Sequence, residues 1–270
     1  MMLNHYRDGT GEPLVLIHGI GSRWQVWMPV LERVATERSV IALDLPGFGA
    51  SPLPPPRTPP GVRSLARLVL EFLDELGIER PHVAGNSLGG QIALELARTG
   101  RIRSAGALSP AGFHVGAEAR FQKLSLAFTL RATRLLAPVA GTVSATPLGR
   151  RLLFSQMAAH PERMSAADAA DNVRGVAGSR WFGPTLEAML AEPFSGGAEI
   201  AVPVTIAWGE KDHLLLPRQA ARAARQIPAA RSITLTGCGH VPTYDDPDQV
   251  ADVLITGSAA KAWSSAPSVA

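Results

Sequence analysis

Ser87, Asp212 and His240 are the three side-chain types that together turn a hydroxyl into a nucleophile, and each stands just after a short apolar run. A serine hydroxyl attacks poorly until a base removes its proton, and a neutral imidazole does this near pH 7. A buried carboxylate then fixes the imidazole tautomer and stabilises the imidazolium that forms. Ser87 also has a distinctive setting, Gly85-Asn86-Ser87-Leu88-Gly89. Attack by its oxygen on an acyl carbon would create an oxyanion, which needs N–H donors aimed at it beforehand. The backbone N–H of Leu88, directly after Ser87, is one candidate. The backbone N–H of Ile20, in the loop His18-Gly19-Ile20-Gly21, is the other.

The elements that must hold these groups are legible as alternating runs. A buried strand begins at Val83 and a helix occupies Gln91–Arg98, so Ser87 lies at a sharp strand-to-helix join. Gly85 and Gly89 leave room where a Cβ would clash, and the helix N-terminus favours negative charge at the hydroxyl. Further strands are read at Pro13–Ile17, Val40–Leu43, Ala105–Leu108, Val202–Trp208 and Ser232–Leu235. Helices are read at Trp27–Val34, Val62–Leu76, Arg218–Gln226 and Pro247–Ile255. This alternation predicts an α/β chain with a mostly parallel central sheet and helices on both faces. Ser87, Asp212 and His240 then all fall at the C-terminal edge of that sheet, where ligands bind.

Between 112 and 197 the alternation stops and only helical spacing remains, which predicts an inserted helical cap. The expected organisation is a first core part over 1–111, the cap, a second core part over 198–256, and a flexible Ala/Ser-rich tail over 257–270. Trp24, Trp181 and Phe182 are the expected pocket residues.

Composition narrows the class. The chain has 270 residues, 46% of them hydrophobic and 18% charged, with a net charge of +3. No run of five like charges occurs, so nucleic acid is not an expected partner. A single cysteine, Cys238, excludes an internal disulfide and a cysteine-based zinc site. No cofactor or metal is expected. With neither a secretory leader nor a run of 18 apolar residues, a cytoplasmic protein without a membrane span is expected. Oligomeric state is not legible.

Other polar residues have plainer readings. His18 orients its loop, Asp44 is structural, and His213 is an exposed loop histidine. Asp245, Asp246 and Asp248 read as the solvated start of the last helix. Nothing near Cys238 marks it as reactive.

His18-Gly19, Asp44 to Ser51, Gly85 to Gly90, Trp208 to Asp212 and Gly239-His240 occur in the order found in the α/β-hydrolase superfamily, and the chain resembles its capped, esterase-like branch. The resemblance implies Ser87 as nucleophile, His240 as base, Asp212 as acid, and Ile20 and Leu88 as oxyanion donors. It leaves the cap, and so the substrate, unassigned. The expected activity is hydrolysis of a small hydrophobic ester, thioester or related acyl or aryl substrate. Relatives with this triad also cleave carbon–carbon bonds in ring-opened aromatic diketo acids, and Arg180-Trp181-Phe182 would suit such an anion. Relatives that open epoxides or remove halogens carry Asp where Ser87 stands. A non-catalytic binding protein on the same fold is the third reading.

Overall fold

In the computed structural model, which describes residues 1–259, seven strands form one sheet. They are β1 (His5–Asp8), β2 (Pro13–Ile17), β3 (Ser39–Leu43), β4 (His82–Asn86), β5 (Ser104–Leu108), β6 (Val204–Gly209) and β7 (Arg231–Leu235), in the order β1-β3-β2-β4-β5-β6-β7. Only β1 runs antiparallel, paired with β3. It was not foreseen, because His-Tyr-Arg-Asp is half-exposed and lacks the apolar signal of the inner strands.

The inner strands are apolar at consecutive positions because both faces are covered. Val15, Ile17, Ile41 and Leu43 pack on one side with Leu65, Val69 and Phe72 of α2 (Val62–Glu75) and with α3 (Leu88–Arg98). Leu14, Leu16, Val40 and Ala42 pack on the other with α1 (Met28–Ala35) and α10 (Pro247–Gly257). Burying each of the Val, Leu, Ile and Phe side chains among these contributes about 1.5–3 kcal/mol before the entropy of ordering is subtracted.

Between β5 and β6 the chain forms five helices and no strand: α4 (Ala117–Leu136), α5 (Ala140–Ser144), α6 (Pro147–Phe154), α7 (Ala166–Gly178) and α8 (Phe182–Ala191). Ser165 caps α7 by accepting the Asp168 N–H at 3.0 Å. These helices bury little among themselves, chiefly Ala140, Ala170 and Val173, so they depend on the sheet beneath them. α9 (Arg218–Gln226) lies between β6 and β7.

Gly257 and Ser258, the first two residues of the expected tail, are the end of the last helix and its cap. Buried Ser258 accepts a hydrogen bond from Arg38 at 3.0 Å. Residues 260–270, the rest of that expectation, lie outside the described residues.

Candidate active site

The turn at Ser87 is set by close backbone approach. A Cβ on Gly85 would sit 2.3 Å from the Gly89 carbonyl carbon, and one on Gly89 would sit 2.1 Å from the Ile17 oxygen. Ser87 itself adopts φ 57° and ψ −116°, a region that strains a non-glycine residue by about 1–3 kcal/mol. Its N–H donates to Leu108 O at 2.9 Å, and its carbonyl accepts from Gln91 and Ala111, each at 3.0 Å. The surrounding backbone thus holds the side chain outward from the strand ends.

The loop bearing Ile20 lies against this turn, since a Cβ on Gly19 would be 3.2 Å from the Ser87 Cβ. Fully buried His18 fixes the loop. Its Nε2 accepts the Leu45 N–H at 2.9 Å, so Nδ1 carries the proton and donates to Gly19 O at 2.7 Å. Burial pushes this imidazole below its ordinary pKa and keeps it neutral. The Leu88 N–H heads α3, where the first helical N–H groups have no partner within the helix.

His240 Nδ1 is 2.8 Å from Asp212 Oδ2. The other Asp212 oxygen accepts the N–H groups of Leu214 and Leu215 at 2.9 and 2.8 Å, so the buried carboxylate is held from both sides. The His240 carbonyl accepts from Asn86 Nδ2 at 2.8 Å, which ties the histidine loop to the residue before Ser87. Ser87 and the His240 ring open onto one cavity of about 270 Å³, with no direct hydrogen bond between them.

The inserted helices supply most of the cavity wall, with Leu126, Phe128, Leu153, Met157, Val176 and Phe182 among its apolar members. Tyr244, Asn172 and Gln156 add polar atoms, none of which the sequence had marked. Of the expected pocket residues only Phe182 lines it. Trp24 instead stacks on Tyr6 with ring centroids 5.0 Å apart, and its backbone N–H donates to Asp44. Trp181 packs over Gly47, whose added Cβ would lie 2.7 Å from the Trp181 Cβ. Arg180 borders a separate polar cavity beside Asp44. Side-chain direction at these positions follows from how the insertion docks on the core, which spacing alone does not specify.

Asp44 is saturated by Asn4, Trp24 and Ala50 at 2.7–2.8 Å, as a structural carboxylate would be. Asp245 departs from its expected solvated role. It is buried, and it accepts the N–H groups of Gly239 (2.7 Å), Ala159 (3.0 Å) and His160 (2.7 Å). Its donors are backbone groups, two of them more than 80 residues away in the chain, so no motif announces them. Asp246 does cap α10, accepting from Gln249 N at 2.9 Å. Cys238 is buried, and burial with the nearby Asp245 and Asp246 pushes its thiol up to about 12.

A profile of the alpha/beta hydrolase family matches residues 14–253. An uncharacterized protein of Mycobacterium tuberculosis is 31% identical over 91% of this chain and 75% of its own length. An epoxide hydrolase of the same organism, EphH, is 29% identical over 70% of this chain and 91% of its own. Among solved structures, a thermophilic esterase from Thermogutta terrifontis superposes with a TM-score of 0.73 at 22% identity, covering 93% of this chain and 91% of the esterase. That last likeness speaks to the fold alone.

Proposed function

Because the chain belongs to the alpha/beta hydrolase family, we propose that it is a cofactor-free serine hydrolase acting on a hydrophobic ester, thioester or related acyl substrate. The observation that carries this reading is the Asp212–His240 hydrogen bond at 2.8 Å, on a ring that shares a cavity with the strained Ser87. His240 takes the Ser87 proton on Nε2 as Oγ attacks the acyl carbon. The oxyanion is met by the N–H groups of Ile20 and Leu88, which supply stabilisation where charge develops. Collapse expels the alcohol or thiol, which leaves with the proton from His240. Water, deprotonated by the same histidine, then releases the acid and restores Ser87.

Residues 112–197 act in this reading as a cap that shapes the acyl pocket. Its mostly apolar wall favours an acyl or aryl group over a sugar. The carbon–carbon alternative drew on Arg180, Trp181 and Phe182, of which only Phe182 borders the cavity. Epoxide opening through a covalent carboxylate ester has no carboxylate at position 87.

The test is kcat/KM across p-nitrophenyl esters from acetate to dodecanoate. Each recognised methylene contributes at most about 0.8 kcal/mol, so kcat/KM should rise with chain length and then level off. Turnover of diketo acids with none of the esters would overturn the reading.

A further inference from the structure

The inserted helices carry an apolar face that nothing among the described residues covers. Phe121, Leu124, Phe128 and Leu135 recur on α4 at spacings of three, four and seven, which aligns them along one stripe. Leu148 and Leu152 are one turn apart on α6. All six are exposed, Phe128 by 72%, Leu135 by 79% and Leu152 by 76%. Phe128 and Leu152 also line the cavity that holds Ser87 and His240, so both helices meet at its mouth.

The charge around this face is one-sided. Residues 117–154 contain six basic side chains, Arg120, Lys123, Arg131, Arg134, Arg150 and Arg151, and one acidic side chain, Glu118. Glu118 is buried and paired with Arg218 and Arg222 of α9, so it does not offset the basic face. Lys123 and Arg151 reach Glu187 and Glu162, but Arg120 and Arg131 are exposed and have no acidic partner among the described residues. On the α4 wheel these two arginines border the apolar stripe. A helix with an exposed apolar stripe and a basic flank is suited to lie in the plane of a lipid interface. No helix among the described residues is long and apolar enough to cross a membrane.

We propose that the α4–α6 face of the cap docks on an anionic lipid surface, with the cavity mouth turned toward the lipid. Apolar side chains enter the headgroup layer, while Arg120 and Arg131 face lipid phosphates. The inference goes beyond the hydrolase reading and holds or fails independently of it.

The experiment measures flotation with vesicles of phosphatidylcholine containing phosphatidylglycerol, and with pure phosphatidylcholine, at low and high salt. It uses the 270-residue chain carrying Ser87→Ala, so that hydrolysis cannot alter the vesicles. Partitioning should favour the anionic vesicles and weaken with salt. Arg120→Gln with Arg131→Gln should weaken it roughly tenfold or more, from two cationic contacts. Leu124→Gln with Leu135→Gln should weaken it at least as much. These four positions lie outside the cavity wall, so in the Ser87 background both pairs should turn over a soluble short-chain ester as wild type does. Absence of partitioning, or partitioning unchanged in both pairs, would overturn the proposal. A dimer in solution that the leucine pair dissociates would assign the face to a second copy, and would overturn it as well.

Discussion

The Asp245 carboxylate accepts the Gly239 N–H at 2.7 Å, one residue before His240. The same carboxylate accepts the N–H groups of Ala159 and His160, just after α6, and the Val241 N–H donates to Met157 O at 2.7 Å. The loop carrying the proposed base is therefore hydrogen-bonded to the link that follows α6 in the insertion, as well as to β4 through Asn86. A buried carboxylate serving three backbone donors is a charge-assisted anchor, each such bond contributing about 1.5–3 kcal/mol. Asp245→Asn should lower the melting temperature and reduce kcat at least tenfold in folded protein, with KM changing less. Asp246→Ala, which removes the α10 cap and a part-exposed hydrogen bond from Gln249 Nε2 at 3.1 Å, should cost about 1 kcal/mol and leave kcat intact. Equal effects on kcat would remove Asp245 from any role in placing His240.

Asp212 and Asp44 are both buried carboxylates at strand ends, and they separate cleanly by partner. Asp212 holds an imidazole as well as two backbone N–H groups, whereas Asp44 holds only backbone N–H groups and Asn4. Asp212→Asn presents an amide donor to Nδ1 and favours the wrong tautomer, so kcat should fall roughly 10²–10⁴-fold with the fold kept. Asp44→Asn should instead lower stability, with far smaller change in kcat per folded molecule. Thermal melts and active-site-normalised turnover of both proteins give the ranking, and the reverse ranking would reassign the acid.

What was legible in the sequence divides along physical lines. The strand–Ser87–helix turn could be read because backbone crowding at Gly85 and Gly89 admits only glycine there. Buried parallel strands such as Val40–Leu43 were read because they are apolar at every position. β1 was missed because only its pairing with β3 makes it a strand. Trp24 is expected in the pocket from its closeness to the Ile20 loop and Trp181 from its aromatic chemistry in the cap, but their rings pack on Tyr6 and Gly47 instead. Asp245 was misread because its donors, at 159, 160 and 239, are main-chain groups that leave no trace in residue type.

Phe182 and Trp181 are neighbours with different surroundings, and substrate selection should tell them apart. Phe182→Ala enlarges the cavity wall and should shift the preferred acyl length in kcat/KM profiles. Trp181→Ala, which loses packing over Gly47, should destabilise the protein while leaving the profile's shape alone. A profile moved by Trp181→Ala and not by Phe182→Ala would place selection elsewhere in the cap.

Burial lowers the pKa of His18, His82 and His114 below the ordinary value. The unfolded chain, titrating near about 6.5, then binds more protons than the folded one between its folded values and that point. Stability contributed by keeping these rings neutral is complete above that pH and is lost as pH falls through it. The slope is up to about 1.4 kcal/mol per pH unit for each ring. Urea midpoints should decline from about pH 8 to about pH 5.5. A midpoint that rises on acidification over that interval would contradict the assignment of these histidines as buried and neutral.

The central claim is that Ser87 is an activated nucleophile, and covalent labelling by a fluorophosphonate tests it most directly. Wild-type protein should take up one probe per chain, with the adduct mapped by peptide mass spectrometry to the peptide containing Ser87. Ser87→Ala should abolish labelling and cut ester turnover by roughly 10³-fold or more. Labelling of Ser87→Ala at the wild-type rate, or an adduct at another serine, would contradict the account.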